Sequence, residues 1–136
     1  MKKGFTLVEL LIVLAVIAAL MAVATPMALS AVKTAKASQV AQNLNALKSA
    51  VEQYVYSQRD LPSTITDLED YMSKIPDGYK ISDNATFTNG VATVSIGYTG
   101  GDVSFNDLSK QYSDVSTVTI NSTEYPGISV QVRQWW

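Results

Sequence analysis

The residues that usually carry chemistry at neutral pH are missing from this sequence. Its 136 residues include no histidine and no cysteine. That removes the commonest general base and metal ligand, together with thiolate metal sites, cysteine nucleophiles and disulfide staples. Enzymes without either residue exist, but the easy chemistries are gone. Asp102, Asp107 and Asp114 share one loop region, but their spacing fits no calcium-ligand template. They read as solvated loop acids, so neither a metal nor a cofactor is expected. There is no Ser-His-Asp set and no phosphate-cradling glycine loop, and the chain is not expected to be an enzyme. Lys plus Arg number 10 against 12 Asp plus Glu, a net charge of −2. Such a balance offers no basic surface to a polyphosphate backbone. One carboxylate stands apart: Glu9 sits at the head of an apolar run. An acid at mid-membrane costs roughly 2.5–3.5 kcal/mol, and less near the interface.

The element that positions Glu9 is easily read. From Leu10 to Val32 no charged residue occurs over 23 positions, and Leu10 to Ala24 is wholly apolar. About 20 residues of helix cross a bilayer core, so this stretch with its flanks can span one. Beyond Val32 the chain turns polar and stays so. Lys2 and Lys3 precede the span while Lys33 and Lys36 follow it, which specifies orientation weakly. We read the N-terminus as cytoplasmic and the bulk as exported.

Three readings compete for this segment. A cleaved secretory signal would use Lys2 and Lys3 as its basic region and Ala22-Val23-Ala24 as its cleavage site. It would release a secreted binding domain. A plain single-pass anchor would keep everything. Neither gains anything from Glu9. The third reading turns on Gly4-Phe5-Thr6-Leu7-Val8-Glu9, an unusual opening for a hydrophobic run.

The run Lys2-Lys3-Gly4-Phe5-Thr6-Leu7-Val8-Glu9-Leu10-Leu11-Ile12-Val13 resembles the N-terminal motif of type IV pilins and the related pseudopilins. The resemblance covers about a tenth of the chain and is specific. It implies a basic leader ending at Gly4, removed by a prepilin peptidase, with Phe5 as the N-methylated mature N-terminus. It also implies that Glu9 takes part in methylation and in docking each subunit into a filament. Physics agrees with that role. Once the leader is cut, the amine of Phe5 lies one helical turn from Glu9, at i and i+4. Pairing them, within a chain or between staggered neighbours, offsets the burial of both charges in an apolar bundle. Glu9 would then pin the register of assembly. Pro26 interrupts the helical pattern; by resemblance it permits extension or repacking of the helix in a filament.

Past the span, Val40, Leu44, Leu47, Val51 and Tyr54 form a helical apolar stripe. A helix from about Phe5 to Ser57 would measure roughly 80 Å, apolar all round at first and amphipathic later. A short coiled coil is the rival reading. Pro62 stops the helical region, and Thr66-Asp67-Leu68-Glu69 reads as a capping box opening a short helix through Lys74. Strands are expected at Tyr79–Ile81, Val91–Tyr98, Val115–Ile120 and Ile128–Arg133. Asn89-Gly90 is a hairpin-type turn, Asn106 caps one helical turn through Lys110, and 121–127 forms a loop. The fold class is α+β: one long N-terminal helix packed on an antiparallel sheet of about four strands, similar to the type IV pilin fold.

The expected organisation is a leader at 1–4, a hydrophobic transmembrane and assembly half at 5–32, and an exported domain at 33–136. The resemblance implies a homo-oligomeric helical filament, reached through the membrane, the peptidase and an inner-membrane assembly platform with an ATPase. Nucleic acid is disfavoured as a partner, except for a DNA-uptake filament. The leading function is a structural subunit of a type IV pilus at the cell surface. The first alternative is a pseudopilin of a type II secretion or DNA-uptake system, in a periplasmic filament. Trp135-Trp136 is a candidate subunit interface, with docking onto the chain's own sheet as its rival. Asn84-Ala85-Thr86 and Asn121-Ser122-Thr123 match the glycosylation pattern and are read as unmodified. The seven tyrosines read as packing residues.

Overall fold

A computed structural model describes residues 4–136. Helix α1 spans Leu7–Gln58 and contains Pro26 without interruption. It ends where Arg59 enters the left-handed region at φ 58°, its N–H still donating to the Val55 carbonyl at 2.9 Å. The helix therefore stops before Pro62 is reached. Chain contacts define two units, one ending at Lys33 and one running Thr34–Trp136.

The first unit is helix alone, and every described side chain in it is exposed. Ala and Leu, strong helix formers, are its commonest residues, while Val, next in number, and Pro26 are the residues that oppose the backbone ladder.

The second unit holds the core. Strands β1 (Tyr79–Ile81), β2 (Val91–Tyr98), β3 (Ser116–Ile120) and β4 (Thr123–Arg133) form one antiparallel sheet in the order β1-β2-β4-β3. Alternation assigns the sheet's faces. Ala92, Val94 and Ile96 of β2 pair with Val132, Val130 and Ile128 of β4, and all six are at most 2% exposed. Against them lies the stripe Ala37, Val40, Leu44, Leu47, Val51 and Val55 of α1, in one continuous apolar cluster. Burying each such side chain contributes about 1.5–3 kcal/mol. The amphipathic half of α1 is thus held by packing, as the spacing predicts.

Helix α2 (Phe105–Gln111) adds Leu108 to that cluster. Its cap is Ser104, whose Oγ accepts from the Asp107 N–H at 3.2 Å, so the cap falls two residues before the expected Asn106. A 3-10 helix at Ile65–Tyr71 replaces the expected helix from Thr66 to Lys74. The Asp67 carboxylate accepts from the Ser63 and Thr64 N–H groups at 2.8 and 2.9 Å, which starts the turn two residues early.

The region 121–127, expected as a loop, is largely strand. Asn121 and Ser122 adopt φ of 50° and 65°, and Ile120 pairs with Thr123 across them. Two successive left-handed residues make the tight turn whose twist suits a hairpin. Pro126 is tolerated because β4 there has only β3 beside it. Gly127 then pairs with both Ser116 and Gly97. A Cβ at Gly127 would strike the Ile96 carbonyl, so this close backbone approach demands glycine.

Shortening Leu44, which is fully buried, to Ala should destabilise the Thr34–Trp136 unit by about 2–5 kcal/mol. Leu14→Ala, at a position 62% exposed, should change it by less than about 0.5 kcal/mol. Urea unfolding of the detergent-solubilised chain, followed by tryptophan fluorescence, compares the two; equal losses would contradict the assignment of the core.

Candidate functional site: the head of helix α1

Thr6 is the residue on which the helix starts. Its backbone N–H donates to Glu9 Oε2 at 2.7 Å, and its Oγ1 accepts from the Glu9 N–H at 3.3 Å. The Leu10 N–H reaches the Thr6 carbonyl at 3.2 Å. This reciprocal pair is a capping box, which satisfies two donors that a helix start otherwise leaves open. An acid in the first turn also opposes the positive end of the helix dipole. Glu9 is therefore held in a defined position at the head of the apolar half of the helix.

Sequence reasoning assigned Glu9 to the amine of a cleaved Phe5. With the Gly4–Phe5 peptide bond intact, Phe5 carries an amide, and the Glu9 carboxylate takes the Thr6 N–H instead. The two arrangements are compatible, since a carboxylate has a second oxygen to offer another donor. Thr6 was missed as a partner although Thr6-Leu7-Val8-Glu9 carries the S/T-x-x-E signature. Gly4 and Phe5 lie exposed before the helix, Phe5 at 84%. An exposed Gly-Phe bond outside the helix is the sort of segment that a peptidase can reach. Lys2 and Lys3, the basic part of the expected leader, lie outside the described residues. Pro26 sits on the same exposed half of α1, well away from Glu9 in sequence.

The other sequence candidates do not gather at this site. Asp102 accepts from the Tyr98 hydroxyl and lies 3.8 Å from Lys36 Nζ, an ion pair tying the Thr34–Trp136 part of α1 to the loop after β2. Asp107 is used in capping α2. Among the described residues, no three acids converge where a metal ion could be held. Asn84 and Asn121 are exposed. Tyrosines meet in pairs, Tyr54 with Tyr71 at 5.7 Å and Tyr79 with Tyr98 at 5.2 Å. Trp136 packs edge-on against Phe87 at 5.5 Å, and Arg59 stacks 5.0 Å above Trp135.

Residues 1–25 match the prokaryotic N-terminal methylation motif. It is the prepilin-type signature of type IV pilins and pseudopilins, a structural motif and not that of an enzyme family. It implies processing by a prepilin peptidase and assembly into a filament. No curated protein and no solved structure matches the chain. The long helix on a four-stranded antiparallel sheet is consistent with the pilin fold. Together, the motif and the long apolar helix fit a membrane-anchored precursor.

The Tyr98–Asp102 pair generates a pH signature. Burial, then the bond to Asp102 and its charge, push Tyr98 up to about 12. The Tyr98 hydroxyl, chiefly, holds Asp102 below the usual carboxylate range, with Lys36 adding to it. A raised phenol stabilises the fold fully below its unfolded value of about 10, and that contribution fades as pH rises towards 12. A lowered carboxylate contributes above its unfolded value, and loses that contribution as pH falls through the lower folded one. Tyr98→Phe should therefore flatten both limbs of a melting-temperature profile, and Asp102→Asn should flatten the acid limb and part of the alkaline one. Unchanged limbs in both variants would contradict the coupling.

Proposed function

We propose that the chain is a structural subunit of a type IV pilus, made as a membrane-held precursor and assembled by bundling of its apolar helix. The observation that carries this reading is the first half of α1. It is helical, apolar and exposed throughout, and it is headed by a single capped carboxylate. A surface of that size cannot stay in water. Before assembly, lipid covers it; after extraction, the same half-helices of neighbouring copies do. In this reading the leader ends at Gly4, the methylated amine of Phe5 pairs with Glu9, and a mis-staggered copy leaves that acid unpaired among apolar side chains. Pro26, which lacks a backbone donor for the Ala22 carbonyl, marks where the helix yields during packing. The organisation is then a leader at 1–4, an assembly half at 5–32 and an exported domain at 33–136. An inner-membrane platform with an ATPase supplies the work of extraction. A periplasmic pseudopilus draws on the same features, and electron microscopy of intact cells separates the two by filament length.

Intact mass and N-terminal sequencing of the chain from membranes and from sheared surface material test the reading. The expected product begins at Phe5 and is heavier by one methyl group. A product beginning at Thr25 would replace the filament with a secreted domain. The Glu9→Ala variant should still lose its leader, yet reach sheared material at about a tenth of the normal amount or less, the scale of an unpaired charge in an apolar bundle. Efficient assembly of that variant would remove the register argument.

A further inference from the structure

The sheet has two outer strands, β1 and β3, and they are not alike. β1 is three residues long, carries Lys80 at its centre and has Ser63–Ile65 beside it. Shortness, a lysine and a covering segment are common ways of closing a sheet edge. β3 is left open. Val115 to Ile120 reads Val-Ser-Thr-Val-Thr-Ile, without charge, proline or glycine. Helix α2 meets it from the core side through Leu108 and leaves Ser116, Thr117 and Thr119 exposed. The strand is also firmly placed, since Val118 and Ile120 are at most 3% exposed and pack with Tyr125 over Gly97.

Register shows which backbone groups face outwards. Ile120 and Thr123 close a two-residue turn, so they exchange backbone bonds. Alternation then turns Ser116 and Val118 towards β4, and Thr117 and Thr119 towards the open side. Thr117 stands opposite Pro126, which has no N–H to give, in keeping with that phase. The next outward residues are already used: Val115 donates to the Tyr112 carbonyl at 3.3 Å, and Asn121 has turned away at φ 50°. Thr117 and Thr119 thus offer two N–H donors and two carbonyls, and no loop backbone meets them among the described residues.

A groove runs beside this edge. It holds about 260 Å³ between Thr119–Asn121 of the hairpin, Thr93 and Ser95 on the sheet face away from α1, and Ser82–Ala85. That is less than the roughly 300–1,000 Å³ usual for a drug-sized ligand, and it suits a narrow chain. Ser82–Ala85 faces the edge across the groove, which leaves room for a bare strand and not for a second folded copy. The floor is small and hydroxylic. Asp83 is the one charged lining residue, exposed and without an ion-pair partner among the described residues.

Unpaired backbone donors and acceptors at strand spacing are complemented by another extended backbone. We propose that the β3 edge takes an extended peptide segment of a partner protein, antiparallel along Thr117 and Thr119. Their two donors and two acceptors make four backbone bonds with it. Alternate side chains of the segment point into the groove. There Thr93 and Ser95 leave room for small ones, and Asp83 selects a lysine or arginine. The backbone contacts give affinity and the groove gives selectivity. The site lies wholly in the Thr34–Trp136 unit and stands apart from the filament reading.

The detergent-solubilised full-length chain tests this with a capped synthetic peptide, Ser-Thr-Lys-Thr-Ser. In excess peptide, hydrogen exchange at the Thr117 and Thr119 amides should slow at least about tenfold, while Val118, already bonded to β4, should not change. The same peptide with alternate backbone nitrogens methylated should give no slowing. Asp83→Lys should weaken binding of the lysine peptide at least about tenfold and favour Ser-Thr-Glu-Thr-Ser instead. Unchanged exchange at both threonines would overturn the proposal. So would slowing that the methylated peptide also produces, or that Asp83→Lys leaves indifferent to peptide charge. Slowing that grows with chain concentration, without peptide, would make a second copy the occupant and overturn it too. None of these results touches maturation at Phe5, on which the filament reading stands.

Discussion

A helix with an uncovered apolar surface is the constraint from which the rest follows. Helix α1 serves two environments within 52 residues. From Ala37 to Val55 its apolar stripe is buried against the sheet, and from Leu7 to Lys36 it is exposed on every side. Water cannot cover the second surface and the chain itself does not. In the proposed function, lipid and then other copies of the same helix cover it. The lone acid at its head then becomes informative, since a charge in such a setting is kept only where a partner meets it.

The capping box gives that acid a place. Without Thr6, Glu9 would be a flexible side chain on an open helical end; with it, the carboxylate is bonded back along the chain at 2.7 Å. The same device recurs further along, where Asp67 starts the 3-10 turn and Ser104 starts α2. Short polar side chains thus define where elements begin, while packing decides which elements persist. The sheet obeys a second local constraint. At Gly97 and Gly127 the strands approach so closely that a side chain on either would meet backbone or the packed Val118, Ile120 and Tyr125.

Much of this was legible in the sequence, for identifiable reasons. The stripe Val40, Leu44, Leu47, Val51 and Tyr54 has helical spacing with polar residues between; the first four are buried, while Tyr54 is half-buried at the edge and its neighbour Val55 enters the core instead. Asn89-Gly90 adopts the paired left-handed turn that its composition demands, at φ 54° and 78°. The misses have a common origin. Asn121-Ser122 forms the same kind of turn without a glycine, and Pro126-Gly127, residues that usually break structure, lie inside a strand. Cap positions slipped by two residues at Thr64 and Ser104 because several Ser, Thr and Asn candidates lie side by side, and only three-dimensional geometry selects among them. At the head of α1, the uncleaved chain has no amine at Phe5, and the Glu9 carboxylate takes the Thr6 N–H instead. The ion pair of Lys36 with Asp102 joins residues far apart in sequence, which no local pattern signals.

The central claim is that the first half of α1 is covered by lipid before assembly and by copies of itself afterwards. A single cysteine at Ala18, in the chain that otherwise has none, reports the cover directly. In membranes, it should resist a water-soluble maleimide and react with a membrane-permeant one. In lipid-free sheared material, it should still resist the water-soluble reagent and cross-link to a neighbouring copy on oxidation. Ready labelling by the water-soluble reagent in both settings, with no cross-link, would contradict the account.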